Sequence, residues 1–253
     1  MDVEAPARSR VPVLEPVAAG GRKAERVLVY APDAVGQSFL EARPELLARL
    51  TAASDVVVPL RSVMPPKTPV CFASMFTGAP PEAHGIREYE RPVLACDTLF
   101  DALVRAGTKA AIAAVRGCSM DIIFRGRAID YFTEDDDAAV TARALELLER
   151  DEHGFVVAYH QEYDDVLHRT APDSPEAEVA ALRHVETFVL LCQATEEHWA
   201  RYSRAVLFAP DHGAHFDPAR GKGDHGEDIP EDMDVLHCWR VRGAVLTDPT
   251  ARV

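Results

Sequence analysis

Short apolar segments alternate with amphipathic segments along most of this chain, and this alternation constrains the fold more than any other feature. Five segments are predicted as strands: Arg26–Tyr30 and Gly154–His160, both buried, and Asp55–Leu60, Lys109–Val115 and Ala205–Ala209. Helices are predicted over Gln37–Leu50, Thr98–Arg105, Ala138–Arg150 and Pro175–Tyr202. Because parallel strands need long crossover connections, the pattern indicates an α/β fold, doubly wound, with a mainly parallel sheet and helices on both faces.

Residues 1–23 and 117–133 depart from this alternation. The first region is rich in Pro, Ala, Gly and Arg, so we predict a flexible N-terminal arm followed by a single domain over residues 24–253. One elaborated domain fits a chain of 253 residues better than two domains. In the second region, the segments DIIFRG and IDYF are interpreted as short strands of a hairpin or a sheet edge.

The charge balance excludes some classes of partner. A formal net charge of −14 argues against a groove that binds nucleic acid, because phosphate backbones are held by clustered lysines and arginines. The acidic run from Glu134 to Asp137 precedes a predicted helix, so we interpret it as solvated capping charge rather than as a metal site. No apolar run is long enough to span a membrane, and no membrane partner is expected.

The cysteines and the N-terminus indicate a cellular compartment. The five cysteines are scattered and lack C-x-x-C spacing, which favours reduced and mostly buried thiols. The first residues lack the charged-then-apolar layout of a signal peptide. We therefore expect a cytoplasmic protein, whose oligomeric state the sequence leaves open.

The stretch Met64–Ile86 (MPPKTPVCFASMFTGAPPEAHGI) contains the first candidate for chemistry. Pro69 suits the first position of a helix, which makes Thr68 the predicted N-cap, with its hydroxyl beside free backbone N–H groups. A helix cap is the simpler interpretation of a threonine before a proline. A hydroxyl at a helix N-terminus can also attack a phosphoryl group whose oxygens rest on that terminus.

Metal-binding residue types follow several of the predicted strands. Asp33 comes directly after the first strand, at the edge where α/β proteins bind ligands. Asp164 and His168 stand four residues apart, so one helical turn places both side chains on one face. The remaining candidates are Asp211 and His212, which follow the last predicted strand, and His225, which lies between Gly223 and Gly226. Carboxylates and imidazoles at several strand ends predict a site for zinc-like ions.

These residues resemble the alkaline phosphatase superfamily, and within it the nucleotide pyrophosphatase/phosphodiesterase branch. The resemblance extends over about residues 26 to 230. It is carried by Lys67-Thr68, by Thr77-Gly78 through Ile86, by Asp164 to Pro172, by Asp211-His212-Gly213 and by Gly223 to Gly226. Ala171 stands where the branch usually has glycine. The resemblance implies an alkaline phosphatase-like core.

The resemblance also implies a ligand set and a mechanism. One ion would be held by Asp33, Thr68, Asp211 and His212, and the other by Asp164, His168 and His225. The two divalent cofactor ions, about 4 Å apart, would clamp the phosphoryl group, and zinc is expected, with manganese or iron as alternatives. Thr68 would act as the nucleophile and form a phosphothreonine that water then hydrolyses.

The substrate-binding residues depart from the branch. Tyr89 stands where an asparagine usually holds a phosphate oxygen, and Cys71 occupies a second position where asparagine is common. Lys67, Arg87 and Tyr89 are the candidate substrate-binding residues, and Arg91 could also bind an anionic oxygen. The histidines interpreted as structural or supporting residues, rather than ligands, are His84, His160, His215 and His237.

The prediction is therefore a two-metal phosphoric ester hydrolase with a threonine nucleophile and a small-molecule phosphoester as its partner. A phosphodiester or pyrophosphate, such as a nucleotide derivative, is favoured by the lysine–threonine motif. A phosphomonoesterase or phosphonate hydrolase is the alternative, because Tyr89, Arg87 or Arg91 could bind a further phosphate charge. A non-catalytic binding module on the same fold is the alternative from another class, and the complete ligand set argues against it.

Overall fold

The computed structural model describes residues 1, 3–10 and 23–245. Its strands are β1 (Arg26–Pro32), β2 (Val56–Arg61), β3 (Ala110–Val115), β4 (Asp130–Glu134), β5 (Phe155–His160), β6 (Arg204–Phe208), β7 (His215–Asp217), β8 (Lys222–Asp224) and β9 (Asp234–Arg242). Its helices are α1 (Gln37–Glu41), α2 (Pro44–Ala52), α3 (Thr68–Thr77), α4 (Pro81–His84), α5 (Leu99–Arg105), α6 (Ser119–Ile123), α7 (Asp137–Arg150), α8 (Glu162–Leu167), α9 (Pro175–His198) and α10 (Pro230–Met233).

Seven of these strands form one sheet, in the order β2-β9-β6-β1-β5-β3-β4. The strands from β6 to β4 in that order run parallel to one another, whereas β9 is antiparallel to both β6 and β2. β7 and β8 form a separate antiparallel pair. The predicted α/β fold with a mainly parallel sheet is therefore confirmed.

Residue alternation along the strands divides the core between the two faces of the sheet. Leu28 and Tyr30 of β1 pack in the cluster that contains α7 and α9 side chains. Val29 and Ala31 pack in the cluster that contains side chains of α3, α5 and α6. Helices therefore cover both faces, as expected for a doubly wound sheet.

The predicted helix Gln37–Leu50 is in fact two helices, α1 and α2, with the break at Arg43. The backbone of Arg43 has φ −130° and ψ 76°. Proline sterically disfavours helical backbone at the residue before it, and Pro44 follows here. The prediction of one continuous helix is wrong for that reason.

The strand predicted at DIIFRG is also wrong, because α6 occupies the first three residues of that segment and a turn occupies the other three. Cys118 is the N-cap, and its Sγ accepts the backbone N–H of Asp121 at 3.3 Å, which satisfies a free donor of the first turn. The strand predicted at IDYF is confirmed by β4. The sequence patterns do not predict β9, which lies between β2 and β6 in the sheet.

The acidic run before α7 does not behave as a uniform set of solvated charges. Asp136 is the N-cap of α7 and accepts the N–H of Ala139 at 2.8 Å, as predicted. The Asp137 side chain is only 12% exposed and instead accepts N–H groups of Gln161 and Glu162. For Asp137, the interpretation as a solvated charge is therefore wrong.

Part of the predicted N-terminal arm contacts the domain. The N–H of Ala7 donates to a carboxylate oxygen of Asp97 at 2.8 Å, and the N–H of Arg10 donates to the C=O of Gly78 at 2.8 Å. Residues 2, 11–22 and 246–253 lie outside the described residues. The division into an arm and a single domain stays a prediction.

All five cysteines are buried, and none forms a disulfide. This agrees with the prediction of buried thiols. Across residues 1, 3–10 and 23–245, we find no helix that combines the length and the apolar character needed to cross a bilayer.

Candidate active site

The carboxyl edge of the sheet brings the predicted metal-binding residues together. Asp33 follows β1 directly, and Asp211 and His212 come shortly after the end of β6. β5 leads into α8, which carries Asp164 and has His168 as its C-cap. The last of the set, His225, follows β8 directly. Because β1, β5 and β6 are parallel neighbours, residues far apart in sequence meet at this edge.

Thr68 lies at the start of α3, beside the same edge. Lys67 is the N-cap, with extended backbone, and Thr68 is the first helical residue, so the prediction that Thr68 caps the helix is wrong. Its hydroxyl instead lies 3.3 Å from Asp33 Oδ2 and 3.3 Å from His212 Nε2. Only 4% of Thr68 is exposed. A carboxylate and an imidazole therefore orient this hydroxyl, and the helix backbone does not.

Asp33, Asp211 and His212 form the first cluster, in which the potential ligand atoms all lie within 4.8 Å of one another. His212 Nε2 is 3.3 Å from Asp33 Oδ1 and 3.4 Å from Asp211 Oδ2. Burial, followed by the charge of a neighbouring aspartate, raises the pKa of both carboxyl groups well above the usual value. Two buried carboxylates this close together are stabilised by a cation between them.

Asp164, His168 and His225 form the second cluster, with ligand atoms again within 4.8 Å of one another. Asp164 Oδ1 lies 3.3 Å from His168 Nε2 and 3.5 Å from His225 Nε2. Burial raises the pKa of Asp164, but the neighbouring imidazoles of His168 and His225 lower it overall. Burial lowers the pKa of His225 to about 3, which leaves its imidazole neutral.

The three imidazoles of the two clusters share one orientation. Each places Nδ1 against a backbone carbonyl oxygen and turns Nε2 into its cluster. The pairs are His212 with Gly213 at 3.0 Å, His168 with Gly223 at 3.1 Å and His225 with Pro66 at 2.7 Å. Because a carbonyl oxygen only accepts, we assign the proton to Nδ1 and the lone pair to Nε2. This is the arrangement in which histidine binds a metal ion.

Two buried carboxylate oxygens in these clusters lack a hydrogen bond. Asp211 Oδ2 in the first cluster and Asp164 Oδ1 in the second accept none from the described part of the chain. Buried polar atoms are normally paired, because leaving one unpaired costs about 1–3 kcal/mol. A cation in each cluster would supply the partner. The mixed nitrogen and oxygen donors, their orientation and the unpaired oxygens therefore fit two divalent cations.

Tyr159 and Asp232 support the clusters, and the sequence patterns identified neither. The Tyr159 hydroxyl donates to the carboxylate of Asp33. The Asp232 carboxylate accepts the N–H groups of Gly226 and Glu227 at 2.8 and 2.9 Å, which holds the turn after His225. A tyrosine inside a strand and an aspartate in a four-residue helix have no distinctive spacing in the sequence, so only the fold reveals them.

Gly213 in the Asp211-His212-Gly213 motif is required by close packing. A Cβ atom at this position would lie 2.0 Å from the backbone oxygen of Glu231 and 2.8 Å from the Cα of Gly36. Contacts that short do not occur, so any other residue would displace the segment that carries Asp211 and His212.

A pocket of about 180 Å³ is lined by Thr68 and by one residue of each cluster, Asp33 and Asp164. Tyr89 and Arg91 line it, and so does Arg116, which the sequence analysis missed. Arg116 follows β3 directly, so the rule that ligands bind at strand ends could have identified it.

The other two candidate substrate-binding residues do not line this pocket. The guanidinium of Arg87 donates to the C=O of Glu82 at 3.4 Å. The Lys67 ammonium lies 3.3 Å from the carboxylate of Glu88. The structure therefore brings Tyr89 to the pocket, but neither Arg87 nor Lys67.

The four histidines interpreted as non-ligands have partners outside the two clusters. Their contacts are His84 with Ser74, His160 with Tyr30 and Thr141, His215 with Asp232, and His237 with the C=O of Pro210. Burial lowers the pKa of His84 to about 4, so it is neutral beside α3.

Comparison with protein families supports the resemblance drawn from the motifs. A model of the type I phosphodiesterase / nucleotide pyrophosphatase family matches residues 27–93, the part of the chain that contains Asp33 and Thr68. A search of curated proteins finds no match.

Solved structures share the fold at low sequence identity. Murine ectonucleotide pyrophosphatase/phosphodiesterase 5, as an inactive threonine-to-alanine variant in complex with AMP, matches with a TM-score of 0.60 and 18% identity, over 76% of this chain and 57% of its own. Its human counterpart matches with a TM-score of 0.60 and 18% identity, over 75% and 57%. Phosphonoacetate hydrolase from Sinorhizobium meliloti 1021, in complex with phosphonoformate, matches with a TM-score of 0.54 and 21% identity, over 77% and 59%.

This chain spans less than three fifths of the length of each of these neighbours. The resemblance to the type I phosphodiesterase / nucleotide pyrophosphatase family is confirmed over residues 27–93, and these neighbours confirm the alkaline phosphatase-like fold.

Proposed function

We propose that this protein is a metal-dependent hydrolase of phosphoric esters or closely related phosphorus compounds, with Thr68 as its nucleophile. The observation that carries the proposal is the position of the Thr68 hydroxyl, which is buried and lies 3.3 Å from both Asp33 Oδ2 and His212 Nε2. A threonine hydroxyl is a weak nucleophile unless a base or a metal lowers its pKa. Ligands suited to a metal lie directly beside it.

The two clusters would each hold one divalent cation. Asp33, Asp211 and His212 would bind the first, with Thr68 completing the set, and Asp164, His168 and His225 would bind the second. Mixed oxygen and nitrogen donors suit zinc, and they also suit manganese or iron. We take zinc as the first candidate because aspartate and histidine are its usual catalytic ligands in proteins.

The reaction we propose has two displacements at phosphorus. The bound cations would lower the pKa of the Thr68 hydroxyl and stabilise charge on the phosphoryl oxygens. Thr68 Oγ1 bonds to phosphorus while the bond from phosphorus to the leaving oxygen breaks, and the proton of the hydroxyl ends on that leaving oxygen. Water then attacks the phosphothreonine, releases the product and restores the hydroxyl. Tyr159 keeps the Asp33 carboxylate in place throughout, because its hydroxyl donates to that group.

The lysine–threonine motif favours a phosphodiester or pyrophosphate substrate, such as a nucleotide derivative. The family whose model matches acts on such compounds by its description, and the murine neighbour is described in complex with AMP. Tyr89 lines the pocket, and its hydroxyl is a neutral donor suited to the single negative charge of a diester.

Phosphomonoester or phosphonate hydrolysis is the second candidate, and Arg91 and Arg116 favour it. Both line a pocket of about 180 Å³, which is below the ~300–1,000 Å³ typical of larger ligands. Among the described residues, Arg91 forms no ion pair, while Arg116 pairs only with the exposed Asp135 at 3.1 Å. An exposed ion pair of this kind is weak, so the guanidinium groups of both arginines can bind a doubly charged substrate.

Hydrolysis assays with matched substrates test the proposed function. The substrates are bis(4-nitrophenyl) phosphate, 4-nitrophenyl phosphate and 4-nitrophenyl phenylphosphonate, each with zinc, manganese or iron(II). We expect turnover of at least one of them by the unaltered protein and none by Thr68→Ala. Thr51→Ala, the same change on the exposed surface of α2, is the control and should retain full activity. A folded, metal-loaded protein inactive on the whole panel would favour the non-catalytic binding module.

A cytoplasmic location is part of the proposal. It is supported by the five buried and unpaired cysteines, since disulfides are rare in reducing compartments. Recovery of the native protein outside the cytoplasmic fraction would contradict it.

A further inference from the structure

A third group of metal-type residues contacts the start of α8, the helix that carries Asp164. Asp137, His160 and His184 have potential ligand atoms within 4.8 Å of one another. They come from the start of α7, the end of β5 and the middle of α9. Neither cluster of the proposed active site includes them, so their role has to be read from their own hydrogen bonds.

Asp137 and His184 bind the first backbone N–H groups of α8. The two oxygens of Asp137 accept the N–H groups of Gln161 and Glu162 at 3.1 and 2.9 Å. His184 Nε2 accepts the N–H of Tyr163 at 3.3 Å. Helix N-termini leave their first N–H groups without intrahelical partners, and the N-cap of α8, Gln161, makes no capping bond with its own side chain. Side chains from α7 and α9 therefore supply the cap.

The partners of the imidazoles fix their tautomers. A backbone N–H only donates, so Nε2 of His184 is unprotonated, and its Nδ1–H donates to the Tyr30 hydroxyl oxygen at 3.0 Å. Tyr30 then donates to His160 Nδ1 at 3.0 Å. The remaining His160 Nε2–H donates to the hydroxyl of Thr141 at 3.1 Å.

All four ring nitrogens of His160 and His184 are thus paired within the protein. A metal ion would have to break these bonds, whereas the ligands of the first and second clusters keep Nε2 free. The group is therefore a closed hydrogen-bond network rather than a third metal site.

We propose that Asp137 and His184 are positioning residues that set the start of α8 and thereby the geometry of the second cluster. The proposal rests on the proposed function of that cluster as a metal site. α8 has only six residues, and a helix this short is not stable by itself. Asp164 is its third residue and His168 its C-cap, so a shift at its first residue displaces both ligands.

Calorimetric titration of the metal-free full-length protein with Zn²⁺ tests this proposal. Asp137→Asn removes one of the two acceptor oxygens. We expect it to lower the affinity for one of the two Zn²⁺ ions by about 10-fold or more and to leave the affinity for the other ion unchanged. Asp137→Ala should lower the affinity for the same ion further. Asp136→Asn is the matched control. Asp136 carries the same charge one residue away, but its side chain caps α7 and not α8. This change should leave both affinities unchanged.

The possible outcomes separate this proposal from the proposed function. Two ions with unchanged affinities in folded Asp137→Asn overturn the positioning role and leave the proposed function intact. Three ions in the unaltered protein, one of them absent in Asp137→Asn, identify the network as a metal site and overturn the proposal. No metal binding by the unaltered protein overturns the proposed function and this inference with it.

Amide hydrogen exchange keeps the proposal testable if the variants do not fold. In the unaltered, metal-free protein we expect slow exchange at Gln161, Glu162 and Tyr163, because side chains hold all three N–H groups. Exchange at these amides as fast as in an uncapped first helical turn would overturn it.

Discussion

The imidazole rings of His212 and His225 stack face to face, with their centroids 4.1 Å apart and an angle of 26° between the ring planes. One residue belongs to the first cluster and the other to the second. The stacked pair therefore places one potential ligand of each cluster in direct contact. This proximity is what a two-metal site for a phosphoryl group requires.

The first prediction concerns the metal content. The purified protein should contain about two divalent ions per chain, and His212→Ala and Asp164→Ala should each remove one ion and most of the activity. Each change removes a ligand from one cluster only. Elemental analysis of the folded variants gives the stoichiometry.

Two outcomes would contradict the metal prediction. One is a folded, active protein that retains no metal after careful purification. The other is an unchanged metal content in both variants. His198→Ala, at the end of α9, is a suitable control because this histidine belongs to neither cluster.

The second prediction concerns the substrate. If Arg91 binds the second charge of a monoester, Arg91→Ala should lower kcat/KM for 4-nitrophenyl phosphate by about 100-fold, which is ~3 kcal/mol. The matched diester should be affected far less, because it has no second charge. Tyr89→Phe should instead affect the diester if the Tyr89 hydroxyl binds its single charged oxygen.

Arg87→Ala is the control for both changes, because Arg87 is exposed and does not line the pocket. Its kcat/KM values should match those of the unaltered protein. A large loss in this control would show that the loop carrying Arg87 rearranges. Equal losses for monoester and diester in Arg91→Ala would contradict recognition of the second charge.

The third prediction concerns pH. Burial lowers the pKa of His184 well below its ordinary value of 6.5. The unfolded chain therefore takes up a proton near pH 6.5 that the folded chain does not, so the stability contributed by neutral His184 is present above that pH and is lost as the pH falls below it. NMR of the metal-free protein should show no titration of the His184 ring between about pH 8 and 5. A titration midpoint near 6.5 would contradict burial of the neutral ring.

The fourth prediction concerns what Thr68 contributes to stability. Its side chain does not cap α3, so Thr68→Ala should change the free energy of unfolding by less than the ~1 kcal/mol typical of a lost cap. Thr68→Ser should retain part of the activity, because it keeps the hydroxyl. Denaturant unfolding of the three proteins checks this, and a loss of several kcal/mol in Thr68→Ala would mean that inactivity reflects unfolding.

The sequence predicted the parts of the site that depend on strand ends. Asp33 and Asp211 follow apolar strands, and the carboxyl ends of parallel strands meet at one edge. Asp164 and His168 are spaced by one helical turn. Because these relations are local in sequence, the metal-type residues could be anticipated before any tertiary contact was known, whereas their division into two clusters was implied by the family resemblance.

The residues that the sequence did not reveal act through tertiary contacts. Asp137 looked like a capping charge for α7, yet its carboxylate accepts N–H groups of α8, 24 and 25 residues further along. The prediction for Thr68 was also wrong, because Lys67 is the N-cap residue of α3. Thr68 is the first helical residue, and its hydroxyl lies beside the carboxylate of Asp33. Propensity and spacing contain no information on which helix end a side chain reaches.

Rapid chemical quenching followed by mass spectrometry of the peptide that contains Thr68 tests the central claim most directly. During turnover of the best substrate, we predict one phosphoryl group on Thr68, formed in a burst before steady state and absent from the inactive Thr68→Ala variant. Turnover without any phosphothreonine, phosphate on another residue, or turnover by Thr68→Ala at the unaltered rate would contradict the claim that Thr68 is the nucleophile.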